Sequence, residues 1–209
     1  MNMTPPTFQQ WQKPWQSLGY NAPEHIYNQL IASYNQAHRH YHNNQHLAEV
    51  LSKFLELEDL SRNPAEIQLA LWFHDAVYEP LLHDNEQRSA KWAQTCLLAE
   101  GIAPVIADRV YDLIMVTQHT SQPDNIDAEI VVDCDLAILA AAPERFMEYE
   151  KQIRLEYAHV NDALFQEKRA EILAGFLKQS TIFNTTRFID HYEAAARRNL
   201  TFALENLSV

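Results

Sequence analysis

The sequence predicts an all-α protein, and three observations carry that reading. Apolar residues recur at spacings of three and four along most of the chain, the period of a helix with one buried face. Proline or asparagine stands where several of these runs begin, and glycine where one ends. Only three glycines occur in 209 residues, which suits helices joined by short connections, and no run of alternating strands is visible. A single domain over residues 1–209, with about nine or ten helices, is expected.

Trp11, Trp15 and Leu18 place a short amphipathic helix over Phe8 to Leu18, tempered by Pro14. Gly19 to Pro23 breaks the chain, with Pro23 suited to the first turn of the next helix. Tyr27, Leu30, Ile31 and Tyr34 form the stripe of that helix, which ends near Ala37. After a histidine-rich connection, Asn43 or Asn44 caps a helix running to about Leu57, its apolar face Leu47, Val50, Leu51, Phe54 and Leu55. Pro64 opens a strongly apolar helix that ends in His74-Asp75, and Glu79-Pro80 closes the segment. The next helix starts at Asp84-Asn85-Glu86 and stops at Gly101. Pro104 opens a helix through Val110, Leu113, Ile114 and Thr117, and Ser121 to Asp127 is a polar turn. A helix from about Ala128 to Ala140 carries Asp133 and Asp135. Pro143 starts another, with Phe146, Tyr149, Ile153 and Tyr157 on one side, and two more follow over about 161–178 and 186–207. The tryptophans Trp11, Trp15, Trp72 and Trp92 read as packing anchors.

Composition limits the function. The chain is 47% hydrophobic with dispersed charge, long enough to bury a substantial core. A net charge of −12 without a basic cluster argues against nucleic-acid polymers as the main partner. No apolar run approaches the roughly eighteen residues of a membrane span. Met1 to Pro6 has neither the basic region nor the apolar core of a secretory signal. Two widely spaced cysteines, Cys96 and Cys134, argue against a disulfide framework, so a reducing cytoplasm is expected. No Gly-rich phosphate loop is present.

The chemistry centres on Leu71-Trp72-Phe73-His74-Asp75-Ala76-Val77-Tyr78. A carboxylate and an imidazole in apolar surroundings need a partner, and a metal ion would satisfy both. Upstream lie His38, His40, His42 and His46; downstream lie Asp133 and Asp135. His42 and His46, four residues apart, project to one side of a helix or its entry. Histidine and aspartate together suit one divalent ion such as Mn, Fe, Co, Ni, Zn or Mg. Two of each leave positions open for water and a substrate oxygen, as in a catalytic site.

Tyr41-His42-Asn43-Asn44-Gln45-His46-Leu47, Phe73-His74-Asp75 and Cys134-Asp135-Leu136 resemble the HD superfamily of metal-dependent phosphohydrolases. Asn85-Glu86-Gln87-Arg88-Ser89-Ala90, Asp133 to Leu139, Ile153-Arg154-Leu155-Glu156-Tyr157 and Ala196-Arg197-Arg198-Asn199-Leu200 are similar to one bacterial branch, usually labelled predicted HD phosphohydrolase. The resemblance runs from about residue 41 to 200, and departs from the common pattern at Ala140 and Lys168. It implies an HD-type helical domain, with a metal-site core of about 38–140 and C-terminal helices 143–207 packed on it. It further implies His46, His74, Asp75 and Asp135 as metal ligands. Asp135 is preferred because Cys-Asp-Leu resembles the Ala-Asp-Leu of the cyclic-nucleotide phosphodiesterase branch. Asp133 is rotated about 200° from it on a helix and cannot share its role. His42 matches the histidine that donates a proton to the leaving group in that branch.

Other residues carry two readings. Glu86 is a candidate general base or water-orienting group, and Arg88 a phosphate clamp; an acidic first turn with a solvated arginine explains them equally. His119 is a candidate substrate contact, or a histidine answering a helix dipole. Arg154 with Glu156-Tyr157 reads as a structural ion pair and packing contact, His38 and His40 as solvated loop residues, and His25, His83, His159 and His191 as surface or interhelical. The expected function is a cytoplasmic, metal-dependent phosphohydrolase acting on a small phosphoester or nucleotide. His42, Glu86 and Asp75 would serve catalysis, with no nucleic-acid polymer and no membrane as partner. The alternatives are a non-catalytic nucleotide- or metal-binding sensor, and an oxygen-using HD enzyme with a second metal.

Overall fold

The structure, a computed structural model, describes residues 5–207; Met1 to Thr4, part of the stretch read for a secretory signal, lie outside them. Among the described residues there are ten α-helices and no strand, so the protein is all-α. The helices are α1 Phe8–Ser17, α2 Glu24–Tyr34, α3 Asn44–Phe54, α4 Pro64–Phe73, α5 Asn85–Ala99, α6 Pro104–Met115, α7 Ile126–Leu136, α8 Pro143–Glu156, α9 Asp162–Lys178 and α10 Thr186–Leu207. No described helix is long and apolar enough to cross a membrane.

Local chemistry sets the ends. Thr7 and Gln10 form a reciprocal capping box on α1, which runs through Pro14 without ending. Asn43, rather than Asn44, caps α3: its Oδ1 accepts from Gln45 N and His46 N. Pro64, Pro104 and Pro143 each open their helix, where the missing N–H costs nothing. Gly101 follows α5 with φ +82°, a conformation that favours a residue without Cβ. Two expected helices end differently. The one from Pro104 tightens into a 3₁₀ turn at Val116–Gln118, and α7 continues as a 3₁₀ segment at Ala137–Ala140. Such turns satisfy terminal carbonyls that an α-helix leaves open.

Helix α4 is the hub. It is buried on nearly all sides and packs against α1, α3, α5, α6 and α7. Trp11 meets Trp15, Trp72 and Phe73 in edge-on contacts at 5.2–6.0 Å, geometry that adds to simple burial. Because α3 and α7 flank α4, residues near the start of α3, the end of α4 and the end of α7 are brought together. Helix α10 packs on α9 and on the segment after α7. Its start is fixed by Asp133, which is wholly buried and accepts from Asn184 N, Asn184 Nδ2, Thr185 N and Thr185 Oγ1. Burial nevertheless pushes this carboxyl upward, its donors only partly offsetting the loss of water. Asp133 therefore has a structural role and faces away from the histidines.

Candidate metal and phosphate site

The hub helix stops at Phe73, and the turn after it carries His74 and Asp75. Three contacts hold that turn. The Tyr34 hydroxyl donates to Trp72 O and accepts from Asp75 N, both at 3.2 Å. Ser89 Oγ accepts from Val77 N at 3.0 Å. The buried guanidinium of Arg39 donates to the carbonyls of His42, Asp75 and Ala76, at 3.1, 2.5 and 3.0 Å. Arg39 thus ties the His42 segment to the His74-Asp75 turn and uses its charge on main-chain oxygens.

Four side chains converge there, His46 from α3, Asp135 from α7, and His74 and Asp75 from the turn after α4. His46 Nε2 and His74 Nε2 are 3.0 Å apart. Asp75 Oδ2 lies 3.3 Å from the first and 3.1 Å from the second. Asp135 Oδ1 lies 3.5 and 3.6 Å from the same two nitrogens. The ligand atoms of His46, His74 and Asp75 all sit within 4.8 Å of one another; Asp135 joins through the two imidazoles. His74 Nδ1 donates to Leu71 O at 2.8 Å, which leaves the Nε2 lone pair directed at the cluster.

These residues fit a divalent ion. Neighbouring ligands with bonds of about 2.0–2.2 Å stand roughly 3.0–3.5 Å apart; the donors of His46, His74 and Asp75 have that spacing, and Asp135 lies 3.5 and 3.6 Å from the two imidazoles. A neutral pair of imidazoles with facing lone pairs at 3.0 Å repels itself unless a proton or a cation lies between them. Burial opposes charge on His46, but Asp135 and Asp75 outweigh it and raise its pKa; on His74, Asp75 does the same more strongly. Burial would raise both aspartates, yet His74 and His42 draw Asp75 well below the usual range. His119, His46 and His74 do so for Asp135.

Asp75 and Asp135 of the cluster line a cavity of about 440 Å³ reached from solvent, whose wall includes His42, Glu86 and His119; His46 borders a separate, smaller cavity and His74 lies behind them, buried. A larger cleft of about 470 Å³, lined by Arg62, Glu66 and Arg109, lies elsewhere and does not touch the cluster. His119 Nε2 is 3.1 Å from Asp135 Oδ2. Its backbone is left-handed, φ 52°, an uncommon conformation for a residue with a side chain. Glu86 lines the cavity with its pKa raised, by burial and then by the Asp75 and Asp135 carboxylates.

Arg88 is not brought to this site. It is exposed and absent from the cavity wall, because two residues along α5 turn it about 200° away from Glu86.

Glu156 was read from the sequence as part of a structural ion pair, and its place differs. Arg154 instead pairs with Asp162 and with the carbonyls of Tyr157 and Val160. Glu156 is buried; its Oε1 accepts from the N–H groups of His40, Tyr41 and His42, at 2.7–3.0 Å. Its Oε2 accepts from Tyr78 OH at 2.9 Å and lies 2.7 Å from His42 Nδ1. The His42 ring also stacks on Tyr78, with centroids 4.1 Å apart. A carboxylate on Nδ1 fixes the tautomer and leaves Nε2 available to the cavity. The site thus draws on α8, beyond the 38–140 core that the sequence suggested. His38 is likewise tied in, with Nε2 2.9 Å from Tyr78 O, rather than solvated. His83, read as surface or interhelical, lies on the cavity wall.

Arg39 carried no signal in the sequence, Tyr34 read only as part of an apolar stripe and Ser89 only as part of a quoted motif, since each acts through main-chain groups elsewhere in the chain. Glu156 did lie in a quoted motif, but nothing in the order of residues pairs it with His42. Comparison with protein-family models, with curated proteins and with solved structures returned no match for the chain.

Proposed function

We propose that the protein is a metal-dependent phosphohydrolase of the HD type, acting on a small phosphoester or nucleotide. The observation that carries the reading is the convergence of His46, His74, Asp75 and Asp135, with the two aspartates opening onto a cavity whose wall holds His42 oriented by Glu156. His46, His74, Asp75 and Asp135 would hold one divalent ion, its identity among Mn, Fe, Co, Ni, Zn and Mg left to experiment. When bound, such an ion supplies Lewis acidity toward a phosphoryl oxygen and toward water.

The chain's own residues supply the rest. His42 stands on the cavity wall with Nδ1 held by Glu156, so its Nε2 is placed to pass a proton to a departing oxygen. Glu86 can accept a proton from attacking water, a task suited to a carboxyl held above its ordinary range. His119 braces Asp135 and offers a further contact to a phosphoryl oxygen. Asp75 serves as ligand and as counter-charge to His42. Both cysteines are free thiols, which agrees with a proposed cytoplasmic setting.

The test is hydrolysis of a broad phosphoester panel with each of Mg, Mn, Fe, Co, Ni and Zn. Activity should vanish with chelator, return with metal, and be lost in Asp75→Ala with circular dichroism unchanged. No turnover with any metal would favour the sensor reading. Two ions per chain with consumption of oxygen would favour the oxygenase reading.

A further inference from the structure

We infer that the substrate presents a single phosphoryl group, and that di- and triphosphates are poorly received. This inference rests on the phosphohydrolase reading and narrows its substrate class. At about 440 Å³ the cavity has the size of a small-molecule site. Its acids are Asp75, Glu86 and Asp135, and its bases are His42, His83 and His119. Among the described residues, no lysine or arginine lines it.

Arg39, Lys53 and Arg145 are committed elsewhere, and the exposed Arg88 does not line the cavity. Arg39 spends its donors on the carbonyls of His42, Asp75 and Ala76 and on Gln36. Lys53 and Arg145 line a separate, smaller cavity bordered by His46 and Asp135, where Glu56 and Glu49 hold them. Arginine does line a polar cleft of this protein, the one containing Arg62 and Arg109, but that cleft includes none of the cluster residues.

The charge balance follows. One divalent ion cancels Asp75 and Asp135, leaving Glu86 and three histidines to face the substrate. The histidines offer ring nitrogens to one phosphoryl group but no fixed positive charge. Each further phosphoryl adds about one negative charge, with no fixed cation to receive it and Glu86 close by. In a partly buried site such a charge lowers apparent second-order rates roughly tenfold or more. The organic part has a wall of its own in Tyr157 and Leu82.

The experiment compares mono-, di- and triphosphates of one nucleoside on the metal-loaded full-length protein, with free metal held constant. We expect kcat/KM to fall about tenfold or more with each added phosphoryl group. Thr120 is an exposed residue of the cavity wall. Thr120→Arg, checked for fold and metal content, should raise triphosphate turnover and narrow that gap. Equal or faster turnover of the di- or triphosphate overturns the inference and leaves the phosphohydrolase reading intact. If no ester is turned over, that reading fails, and calorimetry with inorganic phosphate and tripolyphosphate decides the inference. Tighter phosphate binding supports it; tighter tripolyphosphate binding, or binding of neither, overturns it.

Discussion

Glu156 Oε2 and His42 Nδ1 meet at 2.7 Å although 114 positions separate them in the chain. The carboxylate is buried, yet its pKa is pulled down to about 2 from an ordinary 4.5. Burial opposes the shift, and His42 with the main-chain N–H groups of the His40–His42 segment outweighs burial.

This lowered pKa gives a stability prediction. The carboxylate stabilises the fold fully above about pH 4.5, and its contribution is lost as pH falls toward about 2. The difference corresponds to roughly 3 kcal/mol. Urea unfolding of wild type and Glu156→Gln from pH 2 to 7 should show wild type losing more stability on acidification. Parallel curves would mean that Glu156 is ionised no more readily in the fold than outside it.

Removing His46 and removing His42 should separate by readout. His46→Ala takes away an atom 3.0–3.5 Å from three other donors and should weaken metal binding. His42→Ala should keep the metal and slow turnover by about 10²–10⁴-fold. Metal content of the purified variants checks the first; rates on any substrate found check the second. Equal metal loss in both would make His42 a ligand.

The two aspartates of α7 should also part company. Asp133→Ala leaves the N–H groups of Asn184 and Thr185 without their acceptor and should destabilise by on the order of 2–4 kcal/mol. It should leave metal affinity nearly unchanged once folded. Asp135→Ala should do the reverse, with a small change in unfolding midpoint and a large one in metal affinity. Denaturation and metal titration of the two variants are sufficient.

Metal uptake should release protons. Because the carboxylates raise His46 and His74, the metal-free cluster holds protons that an incoming ion must displace. Titration calorimetry in buffers of different ionisation enthalpy should give a net release, and affinity should rise with pH. Binding without proton release would place the ion away from these imidazoles.

The helices were legible in the sequence because their signals are local. Pro64, Pro104 and Pro143 open helices whatever lies around them, Asn43 caps from two residues away, and Gly101 supplies a positive φ. The choice between Asp133 and Asp135 was also readable in part, since helical rotation forbids one role for both. The inward direction of Asp135 and the hold of Asp133 on Asn184 and Thr185, just before α10, depend on how α7 packs. That Arg88 lies off the cavity wall was out of reach for a related reason: a charged residue near a motif says nothing about which way its helix face points. Glu156 and Arg39 lie further out of reach. Their work is to bind main-chain groups of segments distant in sequence, and no spacing rule encodes a contact that arises only when α8 and the turn after α4 come together. Periodicity and capping alone determined where the helices are and which faces are apolar. The packing of those faces, driven by burial around α4, decided which charged groups had to find one another.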